Sequence, residues 1–220
     1  MERVAVMLVA LFLLVGATVA RVAAAEPSGG EAVGRGLLYL QLGLQEMALS
    51  QLEAAAQREG ASADTLVLYG LLLEVTGRTG KAAEVLAAAE RRVESEGGAS
   101  LTAAEVRTFA AGALAAGGAT GEASQKYASA VADEAGLGLA HAGLAALLDA
   151  QGQATQAIKE YERYLELSPD DGAAWAALGR LYASGGRTAE AIEALERALR
   201  LNPGLSGAVE LMHRLKEQAE

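Results

Sequence analysis

Residues recur with a period of 34 along most of the chain, and that period limits the possible folds more than any other feature. With Gly172 as position 1, Trp175, Leu178, Gly179, Tyr182, Ala191, Leu195, Ala198 and Pro203 stand at positions 4, 7, 8, 11, 20, 24, 27 and 32. One period earlier, from Gly138, Leu144, Ala145, Leu148, Gly152, Ala157, Tyr161, Tyr164 and Pro169 occupy positions 7, 8, 11, 15, 20, 24, 27 and 32. Tyr164 breaks the preference for a small residue at position 27. From Ala104 the pattern continues with Ala111, Leu114, Gly118, Ala123, Tyr127 and Ala130, and Ala135 replaces the proline. An insertion at 97–103 interrupts the period. Before it, Ala63 leads Tyr69, Gly70, Leu73, Gly77, Ala82, Leu86 and Ala89, and Gly29 leads Gly36, Tyr39, Gly43, Ala48, Leu52 and Ala55. Five copies result, at 29–62, 63–96, 104–137, 138–171 and 172–205.

Each copy reads as two amphipathic helices split by a glycine at position 15, where a tight turn needs a positive φ. Small residues at positions 8 and 20 let the two helices approach, and large ones at 11 and 24 fill the space beside them. Apolar residues make up 52% of the sequence but aromatics only 4%, and no long alternating Val/Ile/Tyr run is present, so a sheet is not expected. Thr102 and Glu105 have capping-box spacing. Ser168-Pro169 and Asn202-Pro203 each read as a capping side chain before a proline at the first helical position. In 206–220, Val209, Met212 and Leu215 recur every three residues while Glu210, Arg214, Lys216 and Glu217 point elsewhere. That is the pattern of a helix that covers the last pair, and a partner-binding tail is the alternative.

On these positions the protein resembles the tetratricopeptide-repeat family, most strongly in the last two copies and least in the third. It departs at position 24 of the last copy, where Leu195 replaces the usual aromatic. The resemblance implies an all-α, right-handed α-solenoid of about five helix-turn-helix units plus a C-terminal capping helix. It also implies a concave groove lined by positions 2, 5, 9, 12 and 13. Relatives that grip the acidic C-terminus of a partner carry Lys and Asn there, and this sequence has neither at those positions. Instead Val33, Leu37, Leu40, Val67, Leu71 and Val75 would form an apolar trough in the N-terminal half. The expected partner is then a protein or peptide, as an apolar or amphipathic segment laid in the groove. The same stripe would also be explained by internal cover: residues 26–30, a tighter superhelix or a second copy.

Residues 1–25 have a different character. Arg3 precedes an unbroken apolar run from Val4 to Val15, and Ala23-Ala24-Ala25 offers the small residues of a signal-peptidase site. Residues 26–28 begin a short linker. Cleavage after Ala25 would give a periplasmic or secreted protein. The alternative is an uncleaved inner-membrane anchor through residues 4–20, with the repeats outside the cytoplasm. Membrane contact is expected only through that segment. The formal net charge of -10 repels phosphate backbones, so no nucleic-acid partner is expected. The absence of cysteine excludes disulfides and thiolate chemistry.

No residue set suggests catalysis. His141 takes the position Trp175 holds one copy later and is expected to pack there, whereas His213 falls on the polar face of the last helix. Asp170-Asp171 favour a helix N-terminus and lack a partner base. Gly29-Gly30 and Gly97-Gly98 precede no Lys-Ser/Thr, so no phosphate loop is indicated. No cofactor and no metal are expected, and the protein reads as a non-enzyme. The first functional reading is an extracytoplasmic interaction scaffold. The alternative is an envelope biogenesis factor or holdase that presents apolar clients, in cytochrome c maturation or a secretion system.

Overall fold

The computed structural model describes residues 30–96 and 99–219. The expected leader or anchor at 1–25, the linker at 26–28 and Gly97-Gly98 of the insertion lie outside the described residues. Among those described, the fold is all-α: eleven helices and no strand. They are α1 (Gly30–Gln41), α2 (Gln45–Ala56), α3 (Ala63–Val75), α4 (Thr79–Glu96), α5 (Ala103–Ala116) and α6 (Thr120–Asp133), followed by α7 (Gly138–Ala150), α8 (Ala154–Leu167), α9 (Gly172–Ser184), α10 (Thr188–Leu201) and α11 (Ser206–Ala219). The protein divides into two compact units, with the boundary after Lys126 inside α6.

The paired helices follow from two recurring devices. The first is the turn. Gly43, Gly77, Gly118, Gly152 and Gly186, all at position 15, have φ between 72° and 86°. In every copy the glycine N–H donates to the carbonyl three residues back, as Gly77 does to Glu74 at 2.9 Å. The next N–H donates five back, as Arg78 does to Leu73 at 2.8 Å. This is the Schellman closure, which satisfies helix-end carbonyls that would otherwise stay unpaired.

The second device is the contact between positions 8 and 24. A Cβ built on Gly70 would lie 2.6 Å from Leu86 Cγ, one on Gly179 2.8 Å from Leu195 Cγ, and one on Gly36 3.0 Å from Leu52 Cγ. Leucine therefore rests directly on the glycine backbone of its partner helix. The two copies with alanine at position 8, Ala111 and Ala145, carry tyrosine at 24. In the second unit the Tyr127 ring covers Gly143, where a Cβ would meet Cζ at 2.3 Å.

In the first unit, α1/α2 and α3/α4 pack as hairpins, and the long α4 also packs along α5. Val33, Leu52, Val67, Leu72, Leu73, Leu86 and Val106 form its core. Each such side chain contributes on the order of 2 kcal/mol of burial. Ser62 caps α3 by accepting from the Thr65 N–H at 3.2 Å. The capping box opens α5: Thr102 Oγ1 accepts from the Glu105 N–H at 3.1 Å, and the Thr102 N–H donates to Glu105 Oε2 at 2.7 Å. In the second unit, α7/α8 and α9/α10 pair, and α11 packs on α10 and α9. Ala208 and Leu215 of α11 are buried and Val209 and Met212 half-buried.

The two prolines act differently from the expectation. Neither Pro169 nor Pro203 starts a helix, because α9 begins at Gly172 and α11 at Ser206. Ser168 and Asn202 are the C-caps of α8 and α10. A proline cannot continue a preceding helix and biases the residue before it to extended backbone, so each Xaa-Pro ends a helix and opens a three-residue turn. The N-cap of α9 is Asp171, whose Oδ1 accepts from the Ala173 and Ala174 N–H groups at 2.9 and 3.0 Å.

Candidate functional site

In the first unit the predicted apolar trough is not open. Val33, Leu37, Val67 and Leu71 are buried members of the core, while Leu40 and Val75 are half-buried. The core cluster draws on α1, α3 and α5 together, and α3 packs against α5. Large apolar side chains at positions 5 and 9 of the first two copies thus belong to the core of the first unit and are not an open surface. Two polar groove positions are structural as well. Buried Asp64 accepts from the Ser100 N–H at 3.0 Å and from Ser100 Oγ at 2.8 Å, which ties down the insertion. Thr108 Oγ1 donates to the Ala104 carbonyl at 2.8 Å. Glu74, at position 12, is half-buried, and that burial alone pushes its carboxyl up to about 7.

In the second unit the same repeat positions are open. Leu139, Ala146 and Ala150 on α7 are exposed, as are Ala173, Arg180 and Ser184 on α9. Ala142, Asp149, Ala176 and Ala183 are half-buried between them. Arg180 Nη2 donates to Asp149 Oδ2 and joins the two helices through a neutral ion pair. The resulting face is mostly methyl groups, with Leu139 in the first turn of α7. Small side chains let another backbone come close, and nothing on the face demands a charged ligand.

The signature side chains pack and cap. Leu178, Gly179, Tyr182, Ala191, Leu195 and Ala198 are buried, and Pro203 is exposed in its turn. Trp175 is half-buried, with its Nε1 donating to the Pro169 carbonyl at 2.8 Å and Arg197 5.4 Å from its ring centroid. His141 occupies the equivalent place and makes the equivalent bond. Its Nε2 lies 3.2 Å from the Ala135 carbonyl, six residues back as Pro169 is from Trp175. The other nitrogen, Nδ1, sits 2.6 Å from Glu160 Oε2 on α8. His141 therefore fastens α7 to α8 and to the preceding turn, and both ring nitrogens are engaged.

Position 4 of the third copy is Arg107, part of a linkage the period did not announce. Arg107 Nε and Lys126 Nζ each donate to the buried Glu90 carboxylate at 2.6 Å, and Arg107 Nη2 also reaches Glu94 at 2.8 Å. Burial pushes the Glu90 carboxyl up, but the Lys126 and Arg107 hydrogen bonds outweigh it and hold the group below its usual range. This network joins α4, α5 and α6 within the first unit. Among the described residues, no group of three or more His, Asp or Glu side chains is arranged to hold a metal. His213 is exposed on α11.

Comparisons with known proteins agree with this geometry. Residues 143–206 match the family model described as tetratricopeptide repeat. No curated protein sequence matches. Among solved structures, MamA 41-end from Desulfovibrio magneticus RS-1 superposes with a TM-score of 0.68 at 17% identity, covering 82% of this chain and 98% of that one. Another MamA structure gives 0.65 at 19%, covering 81% and 94%. YrrB, described as a TPR protein with an unusual peptide-binding site, gives 0.63 at 17%, covering 82% and 89%.

Proposed function

Taking the protein as a member of the tetratricopeptide-repeat family, as its matched segment and its five repeated turns make it, we propose that it is a protein-interaction scaffold with its docking face on α7 and α9. The observation that carries this reading is a contrast at positions 5 and 9: the first two copies fill them with the core residues Val33, Leu37, Val67 and Leu71, whereas the last two hold Ala142, Ala146, Ala176 and Arg180, none of them buried in the core. The ligand class is a protein or peptide segment, in keeping with the peptide-binding site of YrrB. An amphipathic helix fits best, because the methyl-lined face with Leu139 at its edge offers apolar contact with little steric obstruction. We place the scaffold outside the cytoplasm on the strength of the Val4–Val15 run and the Ala23-Ala24-Ala25 site.

The test is crosslinking and affinity purification in the native host. Ala146→Glu with Ala176→Glu should lose the captured partner while the circular dichroism stays helical, and undiminished capture would refute the proposed face. If unfolded clients compete for the face, its role is that of a holdase. N-terminal sequencing with membrane fractionation tests the location, and a cytoplasmic protein that keeps Met1 would refute it.

A further inference from the structure

The first helical pair carries an apolar patch that the other pairs lack. Leu38 is 51% exposed, Leu42 62%, Leu44 43% and Met47 46%. They stand at positions 10, 14, 16 and 19 of the first copy. Position 10 is a stacking position in later copies: Leu72 of the first unit is 0% exposed and Leu181 of the second 3%. The remaining three positions are polar or small elsewhere. Position 14 holds Thr76, Gly117, Gln151 and Gly185, position 16 holds Arg78, Ala119, Gln153 and Arg187, and position 19 holds Lys81, Glu122, Gln156 and Glu190. The first copy therefore leaves a stacking leucine uncovered and surrounds it with further apolar side chains that no other copy has. Helical repeat arrays need a polar outer face on their terminal units to stay soluble. The last pair has one in α11, whose outer residues Glu210, His213, Arg214, Lys216 and Glu217 are exposed. The first pair has none among the described residues.

We propose that this patch is the contact surface of a two-fold homodimer, formed by the α1/α2 faces of two copies of the protein. Three observations favour a second copy. The patch includes the position that later copies bury in stacking, so it is a kind of surface that this sequence already covers with its own helices. Its charges are already neutralised locally: Glu31 pairs with Arg35 at 3.0 Å and Glu46 with Arg78 at 2.9 Å. Two such faces can meet without an uncompensated like-charge contact, despite the net charge of -10. The size also fits. Four half-exposed Leu and Met side chains present on the order of 400 Å². That is enough for the apolar centre of an interface of standard size, about 800 Å² per partner, and Gln41, Gln45 and Ser50 of the same two helices and their turn are exposed and polar, as a rim requires. A self-complementary face closes at two copies and leaves no end free to polymerise.

The test is the molar mass of the purified protein by light scattering from about 1 to 100 μM. The wild-type protein should pass from monomer to dimer in that range. Leu38→Glu with Leu42→Glu should weaken the dimer at least about 100-fold, because each copy would bring two charges into the apolar centre. These side chains are exposed, so the helical circular dichroism should not change, and Leu139→Glu in the second unit should leave the dimer intact. A wild-type protein that stays monomeric at 100 μM would overturn the proposal, whether the patch then meets the Val4–Val15 run, a different protein or lipid. So would an assembly larger than two, or a dimer that survives the paired glutamates.

Discussion

Gly70→Ala separates two effects that usually act together. In an exposed helix interior, replacing Gly by Ala stabilises by about 1 kcal/mol, because Gly loses more backbone entropy on folding. Gly70 lies in the middle of α3, yet its added Cβ would sit 2.6 Å from Leu86 Cγ, 2.8 Å from Cδ2 and 3.3 Å from Cδ1. Carbon atoms prefer about 3.5–4.0 Å, so α3 and α4 would have to separate by about 1 Å. Leu86 is fully buried, so its side chain cannot swing out to solvent without opening the hairpin. Overpacking of this kind costs typically 1–3 kcal/mol, and opening the hairpin also forfeits dispersion contacts around Leu72 and Leu73. The net expectation is a loss of about 1–2 kcal/mol, seen as a fall of about 2–8 °C in the thermal midpoint. Gly34→Ala is the control: Gly34 is also interior to a helix, and its Cβ would meet nothing within 4 Å. That variant should gain about 0.5–1 kcal/mol. Combining Gly70→Ala with Leu86→Ala should cost at least about 1 kcal/mol less than the sum of the two single changes, because each relieves the other. The assay is denaturant or thermal unfolding followed by circular dichroism. If Gly70→Ala stabilises as much as Gly34→Ala, the position 8 to position 24 contact does not set the hairpin spacing.

Two further outcomes concern buried carboxylates of the first unit. Glu74 has its folded pKa raised to about 7 by burial. Its contribution is fully favourable below pH 4.5, falls as the unfolded state ionises, and is lost by pH 7 and above. Glu74→Gln should therefore match the wild type near pH 4 and exceed its stability by about 1–3 kcal/mol at pH 8, as read by urea unfolding at both values. Glu90 is the opposite case, since its folded pKa is lowered and its stabilisation is lost as pH falls through that value. Glu90→Ala strands the half-buried Arg107 and Lys126 cations and should cost about 3–5 kcal/mol at pH 7, and a loss under 1 kcal/mol would show that water replaces the carboxylate.

The repeated turn was fully legible in the sequence, because a positive φ is a local demand that glycine meets wherever it falls. The pairing of small and large residues at positions 8 and 24 was legible too, although the sequence did not show that Leu86 rests on the Gly70 backbone itself. Faces were harder to assign. A valine or leucine on a first helix has the same periodicity whether it meets a ligand or the neighbouring helix, and Val67 and Leu71 meet the core. Their bulk was the available signal, since positions 5 and 9 hold Ala142, Ala146 and Ala176 in the second unit. The Xaa-Pro pairs misled because proline is acceptable both as a helix start and as a helix stop. The equivalence of His141 with Trp175 was visible as alignment, but its reason, a ring nitrogen reaching back to the carbonyl six residues earlier, needed coordinates. The patch around Leu42 could have been found by comparing positions 14, 16 and 19 across the copies.

The contacts that close each hairpin join residues only sixteen apart, as Gly70 and Leu86 are, and the intervening turn is made by one glycine and two backbone bonds. Little conformational entropy is spent in bringing such near neighbours together, so a hairpin of this kind forms early and with little help from distant sequence. Several hairpins can start independently, and growth along the array then proceeds by adding the next pair to one already formed.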